Sequence, residues 1–157
     1  MTVMFMMSVL SLLVLANMRL ITLSLKRHYQ WHRYEERAAR LEDAADHLAH
    51  EFARHPAKQC VISVKEDHPW RVDTLHSGCV FDTTYRYGVT DLGILACVKS
   101  ARSKEGGSTH HWLLSVMDMH WKHHMIQIRI ATLGPQEPCP DTDVTVVRLG
   151  VLTWRYL

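Results

Sequence analysis

The chain has 157 residues, enough for one domain of ordinary size with an appendage. Its formal net charge of +2 supplies no strong field, so direct nucleic-acid binding is not expected. Hydrophobic residues make up 47% of the chain, which excludes a disordered polymer, and the charges are so unevenly placed that a plain cytosolic globule is excluded as well.

No charged residue occurs from Met1 to Met18, and Arg19 is the only one before Lys26. Residues 1–25 are predominantly apolar over about 20 positions, enough to cross a hydrocarbon core about 30 Å thick. A cleaved secretory signal has a basic start and a small-residue cleavage site, whereas nothing basic precedes this run and the site near Ala16 is poor. The segment is therefore expected to be the transmembrane half of a longer helix. Arg19, low in the apolar run, is expected to snorkel to the interface or to meet a neighbour's carboxylate. Lys26, Arg27, Arg33, Arg37 and Arg40 follow the span, and the positive-inside tendency would put that side in the cytoplasm. The cysteines, all of which lie beyond the span, argue for the other side.

Apolar residues then recur at Trp31, Tyr34, Ala38, Leu41, Ala45, Leu48 and Phe52, a heptad-like seam on one face with mixed charges between. Neither Gly nor Pro occurs from Thr2 to His55, and the residue before Pro56 is a natural helix end. One helix of about 80 Å is expected, at ~1.5 Å per residue. Its amphipathic half, residues 26–55, is expected to pack through the seam on its own chain, because Ala38 and Ala45 suit close approach to a sheet; a homo-oligomeric coiled coil is the other use of such a seam.

Residues 56–157 change to a period of two. Expected strands are 60–64, 79–81 leading into 85–87, 94–98, a hairpin of 111–119 with 125–133, and 143–156 with Gly150 as a bulge. The runs 104–108 and 134–143 carry the turn chemistry. The whole reads as α+β, a long N-terminal helix packed on a small antiparallel sheet.

Cys60, Cys79, Cys97 and Cys139 include no close pair, which suits structural disulfides in an oxidising compartment better than zinc. Of three pairings, Cys60–Cys79 with Cys97–Cys139 is favoured, because the second tethers the long loop to the sheet; reduced buried cysteines are the alternative. Twelve histidines are many for this length. His120, His123 and His124 crowd one turn and are the only candidate metal ligands, with a solvated polar turn the plainer explanation. No nucleophile elbow, phosphate loop, dinucleotide fingerprint or zincin motif occurs, so neither catalysis nor a cofactor is expected. Trp70 and the His120–His124 turn are possible points of contact with other molecules.

A charge-free span running into an amphipathic helix, followed by an antiparallel sheet with cysteines, resembles the type IV pilin class, and within it minor pilins of the PilX kind. The segments Tyr85-Arg86-Tyr87, Asp91 to Cys97, Thr109 to Trp112 and the closing Thr153 to Leu157 resemble segments of that group. The resemblance implies a pilin-like fold and Phe5 and Arg19 as membrane and assembly residues. It also implies a place in the bacterial inner membrane, with a periplasmic head before assembly and a place in the fibre or tip after it. The implied partners are other minor pilins, the major pilin, a prepilin peptidase that cleaves and methylates the chain, the assembly platform and, before assembly, lipid.

Two departures shape that expectation. The short basic leader ending in Gly is not in this numbering, so residue 1 is expected at or near the mature terminus, or a leader lies upstream. The usual early glutamate is missing too, the first acidic residue being Glu35. A subunit lacking that carboxylate is expected at the tip or in the priming complex, with no enzymatic role. A type II secretion pseudopilin, a single-pass anchored periplasmic binding module and, through the histidines, a membrane-tethered metalloenzyme are the alternatives.

Overall fold

The computed structural model describes residues 2–55, 60–62, 75, 78–95, 98–100, 108–121, 124–135 and 145–157. One helix, α1 (Thr2–Arg54), is followed by β1 (Cys79–Phe81), β2 (Tyr85–Leu95), β3 (Val98–Ser100), β4 (Thr109–Asp118), β5 (Met125–Leu133), β6 (Thr145–Val147) and β7 (Gly150–Tyr156). The fold class is α+β, as expected. The chain forms two compact units, Met1–Arg40 and Leu41–Leu157. The first unit is helix alone, and the second is the head, which includes the last turns of α1.

The head is a five-stranded antiparallel sheet in the order β1-β2-β4-β5-β7. Side chains alternate between its faces, and one face meets α1. Leu41, Ala45, Leu48, Ala49 and Phe52 from the helix form one core with Val89, Leu114, Val116, Ile126, Ile128 and Ile130 from the central strands. Trp112 lies edge-on to Phe52, with ring centroids 5.3 Å apart. The small residues Ala45 and Ala49 are fully buried in that core. The packed part of the seam begins at Leu41: Ala38 is half-buried, while Trp31 and Tyr34 are 60% and 43% exposed. Those two aromatics belong to the helical unit. There Trp31 stacks on Tyr34, and its indole N–H donates to Glu35 at 2.6 Å.

The β4–β5 hairpin forms as read, with Met117 opposite Met125. Three expected strands differ. Ile94 and Leu95 end β2 rather than opening a new strand. A bulge between Asp91 and Gly93 lets β2 continue beside β4, with Gly93 at φ 87°. The expected strand 143–156 is two strands in different sheets: β6 pairs parallel with β3, and β7 joins the main sheet. Gly150, at φ 101°, opens β7 and permits the change of direction, whereas the bulge of that strand lies at Leu152, between the pairs Arg129–Thr153 and Ile130–Val151. Finally, Cys60 to Ile62 contributes a single parallel bridge, Val61 to Val89; Ser63 and Val64 lie outside the described residues.

Candidate functional site

The first half of the helical unit presents an apolar surface. Phe5 is 73% exposed, and large apolar residues from Val3 to Leu25 are exposed along with it. None of the most apolar window is buried, so this stretch is not the core helix of the head; it is long and apolar enough to cross a membrane. Ser8 and Thr22 donate their hydroxyls back to the carbonyls of Met4 and Met18. That is the arrangement by which hydroxyl side chains satisfy themselves in an apolar setting. Arg19 is exposed within this surface.

In the head, Cys60 and Cys79 form a disulfide, the pairing favoured from the sequence, with Cα atoms 5.9 Å apart. The other expected partners, Cys97 and Cys139, lie outside the described residues, as do Trp70 and His123. His120 is exposed, and its backbone N–H donates to Asp118 at 2.7 Å. His124 lies against Trp121, with ring centroids 3.5 Å apart. Among the described residues no group of three His, Cys, Asp or Glu side chains converges on a metal position.

The structure assembles two polar groups that the sequence did not announce. On the face of the sheet away from α1, His111 is 2% exposed. Arg129 Nε donates to its Nδ1 at 3.3 Å, and its Nε2 is 2.9 Å from the Thr109 hydroxyl. Because a guanidinium only donates, Nδ1 accepts, and the proton of the neutral ring belongs on Nε2, directed to Thr109. Along the same face the Gln127 amide donates to Ser115, while its oxygen accepts two N–H groups from Arg155, at 3.0 and 2.7 Å. Nearer the helix, His110 stacks on Trp112 and meets Asp91 at 2.6 Å. Burial acts to raise the Asp91 pKa, but the bonds from His110 and the Gly93 N–H, with the histidine's charge, outweigh it and hold the carboxyl below its usual value. These pairs bind the sheet together.

Burial lowers the His111 pKa below 6.5, and the charges of Arg129 and His110 push it the same way. The unfolded chain therefore takes up a proton at this position at higher pH than the folded head does. The resulting stability is fully present above the ordinary histidine pKa and is lost as pH falls through the lowered one. His111→Gln keeps an acceptor for Arg129 and a donor for Thr109. Its melting temperature should fall less than that of the wild type between about pH 7.5 and about pH 5, and equal falls would show that another group sets the acid sensitivity.

No protein-family model, curated protein or solved structure matches this chain.

Proposed function

We propose that this chain is a minor pilin subunit of a type IV pilus, which helps to initiate assembly or forms part of the tip and performs no catalysis. The observation that supports this reading most is the division of labour along one uninterrupted helix. Its first residues expose an apolar surface all round, and its last turns, from Leu41, are the core of an antiparallel sheet stapled by a disulfide. In this reading residues 2–25 wait in the bacterial inner membrane with the head in the periplasm. On assembly the anchor passes from lipid into a bundle of similar helices, one apolar environment replacing another, so packing contacts and the heads decide which subunits associate. With no acidic residue before Glu35, the span brings no carboxylate to pair with a neighbour's terminal amine. That suits a tip or priming subunit better than the repeating shaft.

The test is to recover the tagged chain from membranes and from sheared surface fibres of its native cell and to read its N-terminus by mass spectrometry. A trimmed, N-methylated terminus that depends on a prepilin peptidase, together with presence in the fibre fraction, is the expected result. A processed chain absent from fibres but required for export would make it a type II secretion pseudopilin. An unprocessed chain confined to membranes would overturn the reading in favour of an anchored periplasmic binding module.

A further inference from the structure

Four cations recur at seven-residue intervals along the helical unit: Arg19, Lys26, Arg33 and Arg40. Seven residues bring an α-helix back to within about 20° of its starting direction, so the four lie along one stripe. All four are exposed. Arg40 is held by Glu36 one turn earlier. Arg19, Lys26 and Arg33 form no ion pair among the described residues; Arg33 lies over the Tyr29 ring instead, 5.8 Å from its centroid. The nearest carboxylates of the helix are already engaged, Glu35 by the Trp31 indole and Glu36 by Arg40.

The stripe crosses the boundary of the apolar surface. Leu20, Leu23 and Leu25 are each more than 60% exposed on one side of that boundary, and Lys26 is the first residue beyond it. Arg19 lies about 10 Å deeper along the axis, close enough for a snorkelling side chain to reach towards the same level, and Arg33 about 10 Å farther out. Tyr29, Trp31 and Tyr34, all exposed, are of the residue types that settle among lipid headgroups. A cation such as Arg19 at membrane depth needs a counter-charge, and none of the described carboxylates pairs with it.

We propose that Arg19, Lys26 and Arg33 form a one-sided site for the phosphate of an anionic phospholipid, on the head side of the span. The proposal rests on reading residues 2–25 as a membrane anchor. The site fixes the depth and rotation of the helix in the bilayer, and it must be vacated when the span leaves lipid.

The experiment reconstitutes the full chain in phosphatidylcholine vesicles containing a minor fraction of phosphatidylglycerol and counts, by native mass spectrometry, the lipid each molecule retains. Lys26→Gln and Arg27→Gln remove the same charge at nearly the same depth, from side chains about 100° apart around the helix. The wild type should retain phosphatidylglycerol in preference to phosphatidylcholine. Lys26→Gln and Arg33→Gln should each reduce that preference about fivefold, and Arg27→Gln should leave it within about twofold. Equal losses for Lys26→Gln and Arg27→Gln would reveal diffuse surface charge and overturn the site. So would a wild type that floats with the vesicles but shows no preference, or one whose stripe is protected only by an acidic partner protein. A chain that does not float with vesicles at all defeats the anchor reading itself, a result distinct from the others.

Discussion

Phe52→Ala should lower the melting temperature of the head by about 15 °C, whereas Trp31→Ala should leave it within about 2 °C. Both residues belong to the same apolar seam of α1, and by sequence they are equivalent. Phe52 is fully buried, packed among Leu48, Val89 and the isoleucines of β5, with the Trp112 ring edge-on to it. Truncation to alanine removes its transfer free energy and leaves a cavity that the sheet cannot close, together costing about 4 kcal/mol. Loss of the aromatic pair accounts for about 1 kcal/mol of that loss in similar contacts. Against a stability on the order of 10 kcal/mol, this is a large fraction. Trp31 is 60% exposed, and among the described residues it makes a stack and a hydrogen bond on its own helix, so its removal should fall within about 0.5 kcal/mol. Circular dichroism melts of the two variants in mild detergent decide it. Equal effects would mean that the first unit also packs against the head.

The contrast shows how far periodicity can be read. The seam from Trp31 to Phe52 predicts an apolar face and a helix without interruption, and α1 runs unbroken from Thr2 to Arg54. Periodicity gives direction around the helix and says nothing of what lies opposite, so the change of partner at Leu41 was invisible. The β4–β5 hairpin was legible because both strands alternate and pair locally. The β3–β6 pair was not, since its residues are far apart in sequence and each strand is too short to show a period. The break before Gly150 was hidden by an alternation that continues through it, although only the strand after the glycine belongs to the main sheet. Cys60–Cys79 could be favoured only as the companion of a Cys97–Cys139 tether, while the buried row of Thr109, His111, Ser115 and Gln127 could not be foreseen. Polar residues inside a strand read as solvent-facing until the register shows their partners. The cationic stripe was present in the sequence throughout as a seven-residue spacing; what gave it meaning was the finding that Arg19, Lys26 and Arg33 are exposed and unpaired by any described carboxylate.

Removing both Cys60 and Cys79, as a Cys60→Ser, Cys79→Ser variant, should destabilise the head by about 3 kcal/mol. The two cysteines serve one edge of β2. Cys79 pairs opposite Tyr87, and two residues further on Val89 donates its N–H to the Cys60 carbonyl at 2.9 Å and accepts from the Ile62 N–H at 2.8 Å. Antiparallel β1 and the parallel segment Cys60 to Ile62 thus share that edge end to end, and the disulfide joins them across a sequence separation of 19. Neither piece is long enough to hold the edge alone, because β1 has three residues and the other contributes one bridge. In the oxidised chain, closing that loop beforehand reduces the entropy of the unfolded state; in the serine variant both short segments must find β2 independently. Urea unfolding of the purified chain should show the midpoint falling by about 1–2 M with little change in slope. An unchanged midpoint would mean that the edge is held by the sheet without the bond. The same pair reports on location. Peptide mapping after thiol alkylation in intact cells should find Cys60 and Cys79 protected, because a bond that stabilises the head forms and persists in an oxidising compartment such as the periplasm. Complete alkylation of both thiols would place the head on the reducing side, where the basic residues after the span would also put it. A periplasmic pilin head would then be untenable, whatever the sheared fibres contained.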